Sequence, residues 1–505
     1  MTAPRIVGVV GAGTMGAGIA QLAAQSGLET VLHDPVPEAL ERGVTRIEAS
    51  WSKRPVDGAR ERLRPVGALE ELEACELIIE AAPERLELKG ELLRELAAHT
   101  EAVLATNTSS LPVTAVGAAS GSPGRVVGMH FFNPPPVMRL VEVVAGVDTS
   151  PESVAVARAA AEAMGRRVVE VADGIGFLVN RCNRPFSLEA LRIVHEGLAT
   201  PEQVDRICRL GGGFRMGPFE LMDLVGVDVG LEIARSFFEL SFHEPRWRPS
   251  PLQRRMVDAG HLGRKAGRGW YEYPDGRPVP REEQSAPEPG GGDGLVVIAG
   301  ELPVAAELAQ LARDAGWRVA APGDADGEVP FIAIDAGGDE TEPLQGAPRM
   351  LLCAEGTLAA QELGGPAVGF SAVPPLRAGG LLELTRGAGS SEATVAAAER
   401  FAATLGLHVA WVGDAPGLVL ARIVASLVNE ACFAIAEGVA RVEDVDEGME
   451  LGLNHPRGPL AWADAMGVEH VVRVIDGLAE GTGTDRYGLA PLLGAMLHED
   501  RTFHG

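Results

Sequence analysis

The run RIVGVVGAGTMGAGIAQLAAQSG, Arg5 to Gly27, limits what this chain can fold into more tightly than any other. Arg5 to Val10 reads as a short buried strand, and the apolar run from Ile19 reads as a helix. Between them GAGTMG, Gly11 to Gly16, follows the strand without a spacer. Each glycine has its own physical reason. Gly11 makes the tight turn, Gly13 lets the backbone approach a pyrophosphate, and Gly16 lets helix pack closely on strand. The helix N-terminus then turns free N–H groups toward the anion. The same run resembles a signal peptide in composition, but a lipid-inserting segment has no need of glycines at these places.

A second strand, ETVLHD, ends at Asp34, where a carboxylate can accept hydrogen bonds from both hydroxyls of a ribose. It would repel a 2′-phosphate, which favours NAD over NADP. Two more strand-like runs follow. CELIIE ends at Glu80, with Glu84 just beyond, and AVLATN runs into Asn107, Thr108, Ser109 and Ser110. Open α/β sheets place ligands past the C-terminal ends of their strands. A plain helix cap before Leu111 is the competing reading of the Thr and Ser residues.

The segment GMHFFNPPPVMRLVEVVAG, Gly128 to Gly146, holds one histidine and one glutamate in apolar surroundings. RVVGMHFF is strand-like to His130, and RLVEVV is strand-like again after three prolines. Period-two alternation puts Glu142 on a face with Leu140 and Val144. An ionised carboxylate on an apolar face costs several kcal/mol unless it is paired. A histidine on the neighbouring strand is a fitting partner. Such a pair fixes the imidazole tautomer and suits general acid–base work near neutral pH. Taken alone, a histidine among phenylalanines is more often structural.

At 505 residues the chain exceeds what one core organises, so two to four domains are expected. A net charge of −26 argues against a nucleic-acid partner. Five widely spaced cysteines without a CxxC or Cys/His ligand pattern point to a reduced, cytoplasmic chain with no metal site. No other run reaches the roughly 18 uncharged apolar residues of a membrane span.

The motifs GAGTMG, TNTSSL, GMHFFNPPPVMRLVEVV, GIGFLVNR, MGPFELMDLVG and GHLGRKAGRGWYEY, in that order over residues 5–273, resemble the L-3-hydroxyacyl-CoA dehydrogenases of the bacterial 3-hydroxybutyryl-CoA or 3-hydroxyadipyl-CoA type. The resemblance implies a Rossmann-type α/β NAD-binding domain plus an all-α helical domain, an acyl-CoA substrate, and a place in fatty-acid β-oxidation or phenylacetate-type catabolism. It implies His130 as catalytic base, Glu142 as its orienting partner, and Ser109 and Asn180 as hydrogen-bond donors to the substrate oxygens. For NAD it implies Gly11, Gly13, Thr14, Met15 and Gly16 of the glycine turn, with Asp34, Glu84 and Asn107. One departure is DGIGFLVN, with Ile175 where the family usually has proline.

The second half repeats the first at a constant separation of 241 residues. Glu142 meets Glu383, Asp173 meets Asp414, Gly176 meets Gly417, and Arg181 meets Arg422; Glu196, Asp205, Gly217 and Asp223 meet Glu437, Asp446, Gly458 and Asp464. A shared register of this length marks a duplicated unit. We therefore divide the chain into an NAD-binding domain (1–175), a helical substrate or dimerisation domain (176–276), a Pro/Gly/Glu linker (277–294), a degenerate Rossmann-like domain (295–412) and a second helical domain (413–505). In the degenerate copy Gly300-Glu301-Leu302 stands where the glycine turn should be, His130 becomes Ser371, and Asn180 becomes Ala421. That copy is expected to bind no NAD and to be inactive.

The family's single-copy members pair through their helical domains, so the two copies here are expected to imitate that dimer internally; a homodimer of the whole chain is a further possibility. The activity expected is NAD-dependent oxidation of (3S)-3-hydroxyacyl-CoA to 3-oxoacyl-CoA. Its rivals are an NAD enzyme acting on a free β-hydroxyacid and a non-catalytic NAD-binding protein.

Overall fold

Strand β1 (Ile6–Val10) is apolar on both faces, as the interior of a parallel sheet covered by helices on each side requires. The computed structural model describes residues 2–277, 283–337, 346–361 and 367–505; the part of the expected linker at 278–282 lies outside the described residues. Two compact units emerge, one of Met1–Arg181 with Glu437–Leu453, the other of Cys182–Ala436 with Asn454–Gly505.

The first unit is built on an eight-stranded sheet. Its strands are β1, β2 (Glu29–His33), β3 (Leu63–Val66), β4 (Leu77–Glu80), β5 (Val103–Thr106), β6 (Val126–Phe131), β7 (Leu140–Ala145) and β8 (Arg167–Ala172), in the order β3-β2-β1-β4-β5-β6-β7-β8. Neighbours are parallel except β6 and β7. Order reverses between β1 and β4, the switch point at which such sheets bind dinucleotides. Strand β3 was not foreseen from sequence: LRPV has no alternation, and its Pro65 is tolerated because β3 is an edge. The helix Val442–Leu453, far away in sequence, packs on β7 and β8. Gly452 lets it lie close, since a Cβ there would stand 3.0 Å from Leu140.

The second unit contains a seven-stranded sheet of β9 (Leu295–Ala299), β10 (Arg318–Ala320), β11 (Ile332–Asp335), β12 (Arg349–Leu352), β13 (Ala367–Ser371), β14 (Leu381–Arg386) and β15 (His408–Trp411). Its order, β10-β9-β11-β12-β13-β14-β15, is that of the first sheet without a counterpart of β3, and again only one pair, β13 with β14, is antiparallel. The helix Pro201–Leu210 packs on β14 and β15, where Gln203 Nε2 donates to the Trp411 carbonyl at 3.0 Å. The rest is helical, gathered on Leu420–Ala436, which is buried over most of its length.

The acidic residues shared by the two halves mostly tie loops to backbone. Asp173 accepts from the amides of Val113 and Thr114, and Asp414 does the same for Leu358 and Ala359. Asp223 holds the amides of Trp270 and Tyr271, Asp464 those of Phe503 and His504. Two ion pairs correspond with their ends exchanged: Arg181 with Glu437 at 2.7 Å in the first unit, and Arg422 with Glu196 at 2.6 Å in the second.

Candidate active site

The glycine turn has the geometry that its sequence demands. Gly11 adopts φ +98°, and its amide donates to the His33 carbonyl at 2.8 Å. A Cβ on Gly16 would stand 1.7 Å from the Gly11 carbonyl oxygen, so only glycine fits beneath the turn. A Cβ on Gly13 would meet nothing within 4 Å, which leaves that glycine to serve a ligand's approach and not packing. Thr14 and Met15 open the helix Thr14–Gln25, Thr14 exposed and Met15 half-buried against the core. Asp34 is anchored beside the turn: its Oδ2 accepts from the Ala12 amide at 2.8 Å and its Oδ1 from the Val36 amide at 3.0 Å. These residues fit NAD, with open space over Gly13, free amides at a helix start and a fixed carboxylate for the ribose.

At the C-terminal ends of β4 and β5 lies a buried ionic network. Glu80 and Lys89 are both fully buried, and Lys89 Nζ stands 2.8 and 3.1 Å from the two Glu80 oxygens. Thr106 Oγ1 donates to Glu80 at 2.6 Å. Lys89 also lies 3.4 Å from Glu84. Glu84 Oε1 collects the Thr108 hydroxyl and the amides of Ser109 and Ser110 at 2.7 to 3.0 Å. Burial by itself pushes the Glu84 carboxyl up, but the Thr108 hydroxyl, Lys89, the Ser109 amide and the Ser110 hydroxyl together hold it below the ordinary carboxylate range. Glu84 thus shapes the loop that presents Ser109, whose side chain is exposed. Asn107 Oδ1 accepts the Phe131 amide at 2.9 Å and ties this loop to the strand of the histidine.

His130 and Glu142 are direct partners across the antiparallel pair β6–β7. His130 Nδ1 lies 2.6 Å from Glu142 Oε2, with the histidine 6 % exposed and the glutamate fully buried. Glu142 Oε1 is occupied as well, accepting the amides of Leu178 and Val179 at 3.0 and 2.9 Å. With those donors on Oε1, Oε2 is the acceptor for Nδ1–H, which leaves the lone pair of neutral imidazole on Nε2. Among the described residues Nε2 has no hydrogen-bond partner, and it is not sealed from solvent. Phe132 and Phe177 flank the ring at centroid distances of 4.5 and 5.9 Å. Asn180 follows in the one-turn helix Val179–Cys182, whose start Glu142 holds. All the residues singled out from sequence therefore fall within the first unit.

The family model described as 3-hydroxyacyl-CoA dehydrogenase, NAD binding domain, matches residues 6–174, and that of the C-terminal domain of the same enzymes matches twice, at 176–273 and 417–503. The chain belongs to the 3-hydroxyacyl-CoA dehydrogenase family. It is 35% identical over 499 residues to the 3-hydroxyadipyl-CoA dehydrogenase of Escherichia coli, covering 96% of both chains. It is 43% identical over 282 residues to the 3-hydroxybutyryl-CoA dehydrogenase of Mycobacterium tuberculosis, covering 53% of this chain and 98% of that one. A crystal structure of an E. coli 3-hydroxybutyryl-CoA dehydrogenase superposes with a TM-score of 0.83 at 33% identity, over 98% of this chain and 99% of that one. As an NAD-dependent dehydrogenase of this family the chain is an oxidoreductase, and neither rival reading is favoured by these matches.

Two features of this family member were missed from sequence. Lys89 sits in a charged stretch, ELKGELL, that reads as a solvated helix face. Its signal was there in the spacing: Lys89, Leu93 and Leu96 share the buried face of the helix Leu86–His99. The second is the double duty of Glu142. No sequence pattern announces which backbone amides a carboxylate will hold. Among the described residues no helix is long and apolar enough to cross a membrane, no cluster is arranged to hold a metal, and all five cysteines are buried and form no disulfide.

Proposed function

We propose that this chain oxidises (3S)-3-hydroxyacyl-CoA thioesters to 3-oxoacyl-CoA with NAD, using His130 as general base, and that 3-hydroxybutyryl-CoA and 3-hydroxyadipyl-CoA are the substrates to try first. The observation that carries this reading is the 2.6 Å contact of His130 Nδ1 with Glu142, which leaves Nε2 free at the strand ends that also carry the glycine turn. His130 Nε2 takes the proton of the 3-hydroxyl, and Glu142 stabilises the imidazolium so formed. The exposed Ser109 hydroxyl and the Asn180 amide hold the hydroxyl and thioester oxygens. NAD, held by Gly11, Gly13, Thr14, Met15, Gly16, Asp34 and Asn107, supplies the hydride acceptor. Glu84 orders the Ser109 loop beside it. The test is reduction of acetoacetyl-CoA by His130→Gln, for which kcat should drop about 10² to 10⁴-fold. Unchanged turnover removes His130 from the mechanism.

The five-segment division of the chain supports a second part of this reading. The exchanged ion pairs Arg181–Glu437 and Arg422–Glu196 have the form of an isologous interface, in which residue i meets j and j meets i. We read the two helical copies as an internal pseudo-dimer, with the second half a structural partner in a reducing, cytoplasmic setting of acyl-CoA catabolism. Ending the chain after residue 280 removes the helix Val442–Leu453 that covers β7 and β8. The truncated protein should dimerise or aggregate in sedimentation, and a stable, active monomer defeats the idea.

A further inference from the structure

A cavity of about 140 Å³ opens in the second unit at the turn between β13 and β14. Arg377, Arg457 and Trp462 line it together with Gly211, Gly212 and Gly213. Among the described residues no carboxylate lines it, in a chain whose net charge is −26. The Arg377 carbonyl accepts the Gly380 amide at 2.9 Å, but its guanidinium makes no hydrogen bond or ion pair with any described residue. Its guanidinium lies 3.6 Å from where a Cβ on Gly213 would stand, so a side chain there would crowd it. Among the described residues the Arg457 side chain reaches only the Ala461 carbonyl, at 3.4 Å, and lies 5.2 Å over the Trp462 ring. Trp462 is 3 % exposed, and its indole N–H is buried without a partner. Buried donors left unmatched are uncommon because they give up hydration for nothing.

The residues at a separation of 241 sharpen the point. Arg377, Arg457 and Trp462 correspond to Pro136, Met216 and Leu221, none of which carries charge or an N–H on its side chain. Gly212 and Gly213 correspond to Leu453 and Asn454. The half that lacks the histidine is thus the half that supplies the two arginines and the tryptophan of this cavity. A decaying copy would lose groups; this one has three that its counterpart lacks.

We infer that the cavity binds a phosphate-bearing small molecule, its phosphate held by Arg377 and Arg457. Guanidinium forks match phosphate oxygens two at a time, and a pair of them balances a dianion. Gly213 leaves backbone bare beside the Arg377 guanidinium, which allows close approach of the ligand there. Free orthophosphate and the phosphate of a larger ester, such as the CoA moiety, share this chemistry.

The test uses the full chain, titrated by calorimetry with orthophosphate, pyrophosphate and CoA against sodium chloride of matched ionic strength. Wild type should bind phosphate in excess of the chloride control. Arg377→Gln and Arg457→Gln should each weaken that binding tenfold or more, while turnover of acetoacetyl-CoA stays at the wild-type value. Tryptophan emission should change on binding, and Trp462→Phe should abolish the change. A Kd for pyrophosphate or CoA that also weakens in both variants and is tenfold below that of orthophosphate identifies an ester or diphosphate as the ligand; similar values identify free phosphate. Binding indistinguishable from chloride, or equal in wild type and in both folded arginine variants, overturns the proposal.

Discussion

Glu142 and Glu383 occupy the same register of the same antiparallel strand pair, one opposite His130 and the other opposite Ser371. Each accepts two backbone amides from the start of the following helical segment: Leu178 and Val179 in one case, Val419 and Leu420 in the other. The difference lies in how the oxygens are spent. Glu142 puts both amides on one oxygen and keeps the second for the histidine. Glu383 gives one oxygen to each amide. Holding the helical segment is therefore common to both, and orienting an imidazole belongs to the first alone. Survival of a glutamate at this place was ambiguous in the sequence because one side chain carries both tasks.

The largest effect expected from this contrast is on turnover. Glu142→Gln keeps an oxygen for the Leu178 and Val179 amides but can turn an N–H toward His130 Nδ1, which favours the wrong tautomer. Reduction of acetoacetyl-CoA should slow by about 10² to 10⁴-fold, as when a triad carboxylate becomes an amide. Glu383→Gln should leave kcat as it is. Equal losses in the two variants would mean that the glutamate acts through the helical segment and not through the histidine.

The next effect concerns the ends of β4 and β11, where Glu80 and Asp335 stand at corresponding places. Glu80 is fully buried on Lys89, whereas Asp335 is half-buried and accepts the Gly337 amide at 3.2 Å. Lys89→Met strands a buried carboxylate and should cost about 3–5 kcal/mol of stability, read from urea unfolding. A loss below about 1 kcal/mol would show that Glu80 finds other partners as readily as Asp335 does.

How much of this was legible in the sequence follows from the kind of information each feature needs. The glycine turn is local: strand, turn and helix are contiguous, and Gly11, Gly13 and Gly16 each answer a separate steric demand. The His130–Glu142 pairing needed only alternation and a short connection between strands. The repeat needed only counting. Lys89, by contrast, is placed by the docking of a whole helix under the sheet, and local composition argues the opposite. Strand β3 exists because an edge tolerates Pro65, a fact about its neighbours. The packing of Val442–Leu453 on β7 and β8 joins segments some three hundred residues apart, which no local pattern encodes.

A smaller effect concerns Glu383 and pH. Burial pushes the Glu383 carboxyl up to about 8, against the pull of its two amides. The folded protein thus keeps a proton that the unfolded chain releases above its ordinary value near 4.5. The stability associated with this group is fully present below that value and falls as pH rises toward 8. Between pH 5 and pH 9, Glu383→Gln should gain about 1–4 kcal/mol on wild type in urea titrations. A gap that stays constant with pH would show that the two amides suffice to keep Glu383 ionised.

The smallest effect tests the other end of the comparison, where Gly13 and Leu302 follow the first turn residues of the two halves. Leu302 is buried, with its side chain against Gly337, and Pro303 after it offers no N–H. Gly13 faces open space at φ −65°, a value alanine adopts without strain. Gly13→Ala should therefore leave the melting temperature unchanged and still weaken NAD about tenfold, roughly 1.4 kcal/mol, because the added methyl stands where the pyrophosphate must meet the backbone. The split between stability and affinity is the informative part. A variant that loses stability and keeps its affinity would put Gly13 in the class of Gly16, a packing glycine, and would remove the open turn as what distinguishes the NAD-binding half from its partner.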